Sequence, residues 1–189
     1  MKEGQIIERF VTKDGKEVII RIPKMKDARM LLAYFNSLIK ENAPIMFNKK
    51  LNLKEVRGRL KSGLEKFKRR MFLQLVVEYK GKIIACGDIE KGKCAKSHIC
   101  RLGISVHKDF RGRGIGKELM RLLLKFARTF LKTEMVVLSV YANNKVAIHL
   151  YKKYGFRRYG YLKGGIKKRG RYFDEILMWR PLRENYEVS

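Results

Sequence analysis

The chain has 189 residues, of which 46% are hydrophobic and 33% charged, a composition typical of one globular domain and not of a disordered chain. No apolar run approaches the ~20 residues of a membrane span, and the charged N-terminal stretch lacks the apolar core of a signal peptide. We therefore expect a single cytoplasmic domain over residues 1–189 that does not bind a membrane. The 45 Lys and Arg against 18 Asp and Glu give a net charge of +27, which favours a polyanionic partner such as nucleic acid or the ribosome, although solvated surface or an anionic cosubstrate would explain part of it.

The hydrophobic pattern predicts strands and helices in a mixed order. Asp14-Gly15 is a strong hairpin signal, Asp27 can cap the first helix, and Gly155 suits the left-handed end of a short helix. In chain order we predict a hairpin around TKDGK, helices ARMLLAYFNSLIKEN and LNLKEVRGRLKSGLEKFKRR, strands MFLQLVVEY, KIIACGDIEKG and SHICRLGISVH, helix GIGKELMRLLLKFARTFLK, strand MVVLSVY, helix NKVAIHLYKKY, and closing strands GFRRYGYL and RYFDEILMW around the loop KGGIKKRG. This order predicts one α/β domain on a mixed sheet.

The three cysteines, Cys86, Cys94 and Cys100, are an odd number without a C-x-x-C pair, which argues against a disulfide framework. His98 lies close to two of them, but the spacing matches no familiar zinc pattern, and a structural zinc site needs four ligands. We therefore expect reduced cysteines in strands and no metal ion.

The stretch DFRGRGIGKEL joins a predicted strand to the start of a helix. Its glycines let the backbone approach a ligand closely, and the first helical N–H groups have no partner within the helix. Together with the helix dipole they form an anion site made of main chain. Arg111, Arg113 and Lys117 add full positive charge, so the stretch predicts a phosphate-binding loop; a basic turn with glycines for tight packing is the alternative.

Spacing excludes two common nucleotide loops. A Walker A loop needs Ser or Thr after its lysine, where this chain has Glu118. A Rossmann loop needs G-x-G-x-x-G and an acid about 20 residues later, whereas the glycines here run G-x-G-x-G and the following strand MVVLSVY carries no acid. The loop by itself therefore predicts an anion site without naming the anion.

Two blocks together resemble the GNAT N-acetyltransferase superfamily. R-G-R-G-I-G resembles its acyl-CoA motif [RQ]-x-x-G-x-[GA], and LSVYANNKVAIHLYKKYGF resembles its pattern V-x-x-x-N-x-x-A-x-x-L-Y-x-x-x-G-F. The residues that match the second pattern are Val140, Asn144, Ala147, Leu150, Tyr151, Gly155 and Phe156. The blocks stand in the family's order, one helix and one strand apart, and IKKRGRYFDEILM is similar to the tail of many members. The resemblance covers residues ~85–180.

The resemblance implies an α/β (α+β) fold with a GNAT-like mixed, mostly antiparallel central sheet flanked by helices, and acetyl-CoA as the cosubstrate. The glycine loop would hold the CoA pyrophosphate, the preceding strand would pair with the pantetheine amides through its main chain, and Tyr151 would be the general acid for the CoA thiolate. Asn144 would steady the arm or the following helix. The residues expected to bind the cosubstrate are Ile104, Ser105, Val106, Arg111, Gly112, Arg113, Gly114, Ile115, Gly116, Lys117, Asn144 and Tyr151.

The general base that the family commonly uses is missing. Where some members carry Glu on one of the two strands beside the site, this chain has Ser139 and Cys100. His98, one strand period from Cys100, is the candidate that we name as the base, since its unperturbed pKa suits a base near neutrality. The alternatives are His107, Asp88, Glu90 and water relays to solvent.

The acceptor would be an amine, by direct attack on the thioester. A protein amine, on lysine or an N-terminus, suits the basic second helix and tail, which would repel a free polyamine. A small-molecule amine acetyltransferase, or a non-catalytic module that binds acyl-CoA or nucleic acid, remains the alternative.

Overall fold

The computed structural model describes residues 1–183; of the domain expected over 1–189, residues 184–189 lie outside the described part. Eight strands and four α-helices follow one another in the predicted order. The strands are β1 (Ile6–Val11), β2 (Glu17–Arg21), β3 (Phe72–Tyr79), β4 (Lys82–Lys91), β5 (Ile99–Val106), β6 (Met135–Tyr141), β7 (Arg157–Lys168) and β8 (Arg171–Pro181), and the helices are α1 (Ala28–Lys40), α2 (Leu53–Lys68), α3 (Ile115–Thr129) and α4 (Lys145–Lys153).

The strands form one mixed sheet in the order β1-β2-β3-β4-β5-β6-β8-β7. Every neighbouring pair is antiparallel except β5 and β6, which are parallel. This arrangement confirms the mixed, mostly antiparallel sheet flanked by helices that the sequence predicted. Within residues 1–183, no helix is long and apolar enough to cross a membrane.

Helices cover both faces of the sheet. On one face α3 presents a nearly continuous apolar stripe, with Leu119 and Leu123 fully buried against β4 and β5, and Tyr151 and Phe156 join the same core. On the other face α1 and α2 bury a second cluster that includes Leu38 and the β4 side chain of Cys86. Because strand side chains alternate between faces, each residue's position in β4 or β5 decides which helices it meets.

The last hairpin differs from the prediction. The stretch KGGIKKRG, expected as a loop, continues β7 to Lys168, and the turn is Arg169-Gly170. The two glycines at 164 and 165 lie where the β7–β8 register shifts, and the Gly164 N–H donates to Asp174 Oδ1 at 2.9 Å. A bulge therefore keeps the strand paired through residues that read as a loop, because glycine tolerates the positive φ of +64° at position 164.

This long hairpin holds the α1–α2 connection over the sheet. The Lys168 ammonium, buried at 3% exposure, donates to the carbonyls of Ala43 and Ile45. Arg169 Nη2 donates to Ile39 O at 2.8 Å, and Tyr141 Oη donates to Ile45 O at 3.3 Å. Part of the basic tail is therefore used internally, to fix the segment that covers the candidate site.

Candidate active site

The site is a gap between β5 and β6. The two strands pair only from Ile99 with Met135 to Arg101 with Val137, and then separate. The β6 side of the β5 residues 104–106 is left open, while their other side pairs with β4. The separated strands leave a groove of about 720 Å³ between them. Its lining includes Ile104, Ser105, Val106, Arg111, Gly112, Ile115, Gly116, Asn144, Tyr151 and Lys168.

The glycine loop forms one end of this groove. Gly114 is the N-cap of α3 with φ +92°, a left-handed conformation that glycine adopts without strain. The amide N–H groups of 112–116 have no hydrogen-bond acceptor among the described residues, whereas Lys117 N–H donates to Gly114 O at 3.0 Å. Consecutive unpaired N–H groups at the start of a 15-residue helix are suited to an anionic group.

The charged residues of the loop are held by neighbouring segments. Arg111 Nε donates to Val106 O at 3.0 Å, and its guanidinium pairs with Glu41 from the end of α1. The Arg113 guanidinium pairs with Asp14 at the tip of the β1–β2 hairpin. Arg113, Gly114 and Lys117 do not contribute to the groove lining, so of the predicted loop residues Arg111, Gly112, Ile115 and Gly116 face it directly.

Tyr151 lies where the groove meets a second cavity. The side chain is 6% exposed and lines both spaces, and burial raises the pKa of its phenol to about 12. Its hydroxyl makes no hydrogen bond within residues 1–183, so it remains free to donate to a ligand. The Asn144 side chain accepts from Ala147 N–H at 3.2 Å and caps α4, which fixes the helix that carries Tyr151.

The second cavity, of about 210 Å³, opens off the groove on the α1–α2 side. Most of its lining residues have apolar side chains, but polar and apolar atoms contribute about equally to its exposed wall. The lining comes from α1, the connection after it, and β4–β6. The lining residues that it does not share with the groove are Phe35, Met46, Phe47, Cys86, Asp88, Leu102, Gly103, Ser139 and Val140. Among the described lining residues, Asp88 is the only one with a formally charged side chain.

The register of β4 and β5 places Asp88 beside the groove. Asp88 pairs with Gly103, and Cys86 pairs with Ser105 one period further on. Tyr34 from α1 donates to Ser105 Oγ at 2.9 Å, so these positions all face the α1–α2 side. Burial first, and then Glu90, raises the pKa of the Asp88 carboxyl from 3.8 to about 7, against the opposing effect of Arg101.

The other candidate bases lie elsewhere. His98 precedes β5 and shares the alternation of Cys100, which packs on the α3 face. It is seven residues from Ser105, roughly 20 Å along an extended strand, and it lines neither cavity, nor does His107. The structure therefore does not bring His98 together with Tyr151. Ser139 does line the smaller cavity, but with a hydroxyl and not a carboxylate.

Several residues of the site were not predicted from the sequence. Phe35, Met46 and Phe47 wall the smaller cavity, and Tyr34 fixes Ser105. They lie in α1 and in the connection after it, outside any recognisable motif. The helical spacing of α1 indicated an apolar face, but nothing in the sequence indicated which part of that face borders the strand gap.

Comparison with known proteins identifies the family. The model of the acetyltransferase (GNAT) family matches residues 39–156. The L-amino acid N-acetyltransferase AaaT of Escherichia coli is 32% identical over 108 residues, 57% of this chain and 67% of that protein. The chain belongs to the GNAT family and is an acyl-CoA-dependent N-acetyltransferase. Acetyl-CoA is the cosubstrate of that family, and the groove and its glycine loop fit an elongated ligand with an anionic end.

Two further relatives have names that indicate a different acceptor from the one in the name of AaaT. The crystal structure of ribosomal-protein-alanine N-acetyltransferase from Brucella melitensis has a TM-score of 0.76 and 27% identity, and covers 86% of this chain and 98% of that one. The N-alpha-acetyltransferase RimI of Mycobacterium tuberculosis is 44% identical over 57 residues, 30% of this chain and 34% of that protein. The relatives thus include one enzyme named for L-amino acids and one named for alanine of a ribosomal protein.

Proposed function

We propose that this chain transfers the acetyl group of acetyl-CoA to an amine on a protein, at an N-terminus or a lysine side chain. The observation that carries the proposal is the lining of the smaller cavity. It combines many apolar side chains with a single formal charge, the carboxylate of Asp88, and it meets the groove at Tyr151. A carboxylate attracts the ammonium of the acceptor, and the apolar side chains suit the aliphatic part next to it.

The same lining disfavours a free amino acid. The carboxylate of an amino acid lies next to its amine, so it would enter close to Asp88 without a Lys, Arg or His among the described lining residues to pair with it. In a peptide that position is a neutral amide. An unpaired buried charge is costly, and the cavity therefore favours an amine whose neighbouring group is uncharged.

Tyr151 is the proposed general acid. Its free hydroxyl at the junction of the two spaces donates to the thiolate that leaves as the C–S bond breaks. The phenol, with a pKa of about 12, keeps its proton until that moment. The burial that raises the pKa of the phenol would also raise that of a thiol formed beside it, which keeps donor and acceptor matched.

The outer face of α2 supports an acidic protein partner. Its exposed basic side chains are Lys54, Arg57, Arg59, Lys61, Lys66 and Lys68. The Arg59 guanidinium lies over the Phe47 ring at 5.2 Å, and Phe47 lines the smaller cavity. Positive charge therefore reaches the rim of the acceptor cavity, where it would attract acidic residues that flank the acetylated amine.

Thiol release from acetyl-CoA tests the proposal with matched acceptors. A peptide with a free N-terminus, the amino acid that begins it, a lysine peptide and spermidine are compared at equal concentration. We expect kcat/KM for the peptides to exceed that for the amino acid by at least about tenfold, since one unpaired charge costs more than 1.4 kcal/mol. Preference for the amino acid or for spermidine over both peptides would refute the protein acceptor.

Removal of the Tyr151 hydroxyl tests the assignment of this residue as the general acid. Tyr151→Phe should lower kcat by about 10²–10⁴-fold and leave the affinity for acetyl-CoA within about twofold, because the phenol acts only on the departing thiolate. Tyr159→Phe, at an exposed position of β7 outside both cavities, is the matched control and should keep full activity. Unchanged turnover by Tyr151→Phe would contradict the assignment.

A further inference from the structure

Catalysis requires a proton acceptor that the expected positions do not provide. An aliphatic amine is protonated near neutral pH and cannot attack the thioester carbon until it loses a proton. Ser139 and Cys100 stand where some family members carry Glu, and His98 lies outside both cavities. The inference that follows rests on the proposed function and completes its chemistry.

Asp88 is the carboxylate that the fold directs into the acceptor cavity. It belongs to a central strand, pairs with Gly103 on the neighbouring strand, and lines the smaller cavity. A Cβ built on Gly103 would lie 3.5 Å from Asp88 Oδ1, an ordinary van der Waals contact, so Gly103 borders the carboxyl group directly. Within residues 1–183 no donor is hydrogen-bonded to the Asp88 carboxylate, and both of its oxygens remain available to the acceptor amine.

We propose that the Asp88 carboxylate is the general base that deprotonates the acceptor ammonium before it attacks acetyl-CoA. The acceptor gives one proton to Asp88, and the neutral amine then forms the C–N bond at the thioester carbon. As the C–S bond breaks, Tyr151 donates its proton to the CoA sulfur, and the nitrogen of the new C–N bond loses its second proton, which restores the Tyr151 phenol. The first proton leaves from Asp88 to solvent, so amide, thiol and one proton are the products and both side chains return to their starting states.

The surroundings of Asp88 leave it as the group that titrates near neutrality. The titratable and charged groups on the elements packed around it are Cys86 and Glu90 on β4, Arg101 on β5, Tyr34 on α1, Lys66 on α2, Tyr141 on β6 and Tyr151 on α4; its β3 neighbour Gln74 is uncharged. Burial raises the pKa values of the thiol and the three phenols, which keeps all four protonated. The pKa of the Asp88 carboxyl, about 7, is poised for reversible proton transfer at physiological pH.

The dependence of kcat/KM on pH tests the inference. For the wild type, kcat/KM should rise as pH increases through about 7 and then level, since the ionised carboxylate is the active form. Asp88→Asn should lower the plateau value of kcat/KM by about 10²–10⁴-fold. It should also remove the rise of kcat/KM with pH, which is the limb of the profile. Binding of acetyl-CoA, followed by its thermal stabilisation of the protein, should persist in this variant because Asp88 lies outside the groove.

Two milder variants keep the carboxylate and shift its titration. Glu90→Gln removes a neighbouring negative charge that raises the pKa of Asp88, so the limb should move to lower pH with the plateau retained. Gly103→Ala adds a methyl group beside Oδ1 and excludes water, so the limb should move to higher pH. These two variants decide the question even if Asp88→Asn does not fold.

The possible outcomes separate the base from the overall function. A wild type that acetylates peptides while Asp88→Asn keeps both rate and limb overturns the base assignment alone. An Asp88→Asn variant with a raised KM and an unchanged kcat overturns it as well, because the carboxylate would then only bind the ammonium. A wild type that releases no thiol with any acceptor defeats the proposed function, and the base with it.

Discussion

The raised pKa of Asp88 predicts a stability change that depends on pH. Its carboxyl has a pKa of about 7 in the folded protein against 3.8 as the ordinary value. The folded state therefore binds the proton more tightly, and stability falls as pH rises between these two values. A shift of about 3 units is worth about 4 kcal/mol at 1.36 kcal/mol per unit, of which about 3 kcal/mol falls between about pH 4.5 and about pH 8. Because the carboxyl also borders a cavity that is open to solvent, we expect about 2–3 kcal/mol.

Substitution by asparagine should remove this change. Asp88→Asn keeps the shape of the side chain and has no group to titrate, so its stability relative to the wild type should increase by about 2–3 kcal/mol from the acidic to the alkaline end of that range. Urea unfolding at several pH values measures the difference, provided that the wild type and the variant have the same m-value. The variant would be more stable and less active at alkaline pH, the trade-off expected of a charged group kept in a cavity for its chemistry.

Glu90→Gln is the matched control for that experiment. Glu90 is exposed and pairs with Lys66 at 2.7 Å, and it raises the pKa of Asp88 through space. The pH dependence should become shallower in this variant but should not disappear. A difference between Asp88→Asn and the wild type that stays flat with pH would refute the reasoning, since it would mean that the Asp88 carboxyl has the same pKa in the folded and unfolded chains.

The remaining predictions concern a buried ion pair and the basic helix. Asp27 is fully buried and forms a two-point ion pair with Arg21 at 2.6 and 3.0 Å. Asp27→Ala should therefore lower the free energy of unfolding, measured with urea, by about 3 kcal/mol. A loss under about 1 kcal/mol would mean that Glu78 alone compensates the charge of Arg21. Charge reversal on the outer face of α2, at Lys54, Arg57 and Lys61 together, should lower kcat/KM for a peptide with acidic flanks at least about tenfold more than for a neutral one and abolish the salt dependence of that preference. Equal losses for both peptides would argue against docking on α2, and salt-dependent binding of RNA lost in the same variant would indicate a nucleic-acid partner instead.

The family could be predicted correctly from the sequence alone, and so could a candidate cosubstrate loop and a candidate general acid. The glycine loop and the Asn144–Phe156 block are contiguous stretches whose geometry is local: a strand end, a helix start and a capped short helix. Their residues therefore have the same relation to one another in the sequence and in the fold. The order of strands and helices followed from the hydrophobic period and the turn residues, and the structure confirmed it except in the last hairpin, where a bulge replaced the expected loop.

The group that we propose as the general base could be found only from the tertiary structure. From the sequence, His98 was favoured because its ordinary pKa suits the task, but strand alternation places it on the α3 face and roughly 20 Å along the strand from Ser105. The ordinary pKa of an aspartate, 3.8, is too low for a general base near neutral pH. The burial of Asp88 beside Gly103, on a strand paired by register and covered by α1, raises that pKa to about 7. Desolvation and register depend on contacts between segments distant in sequence, and no local pattern encodes them.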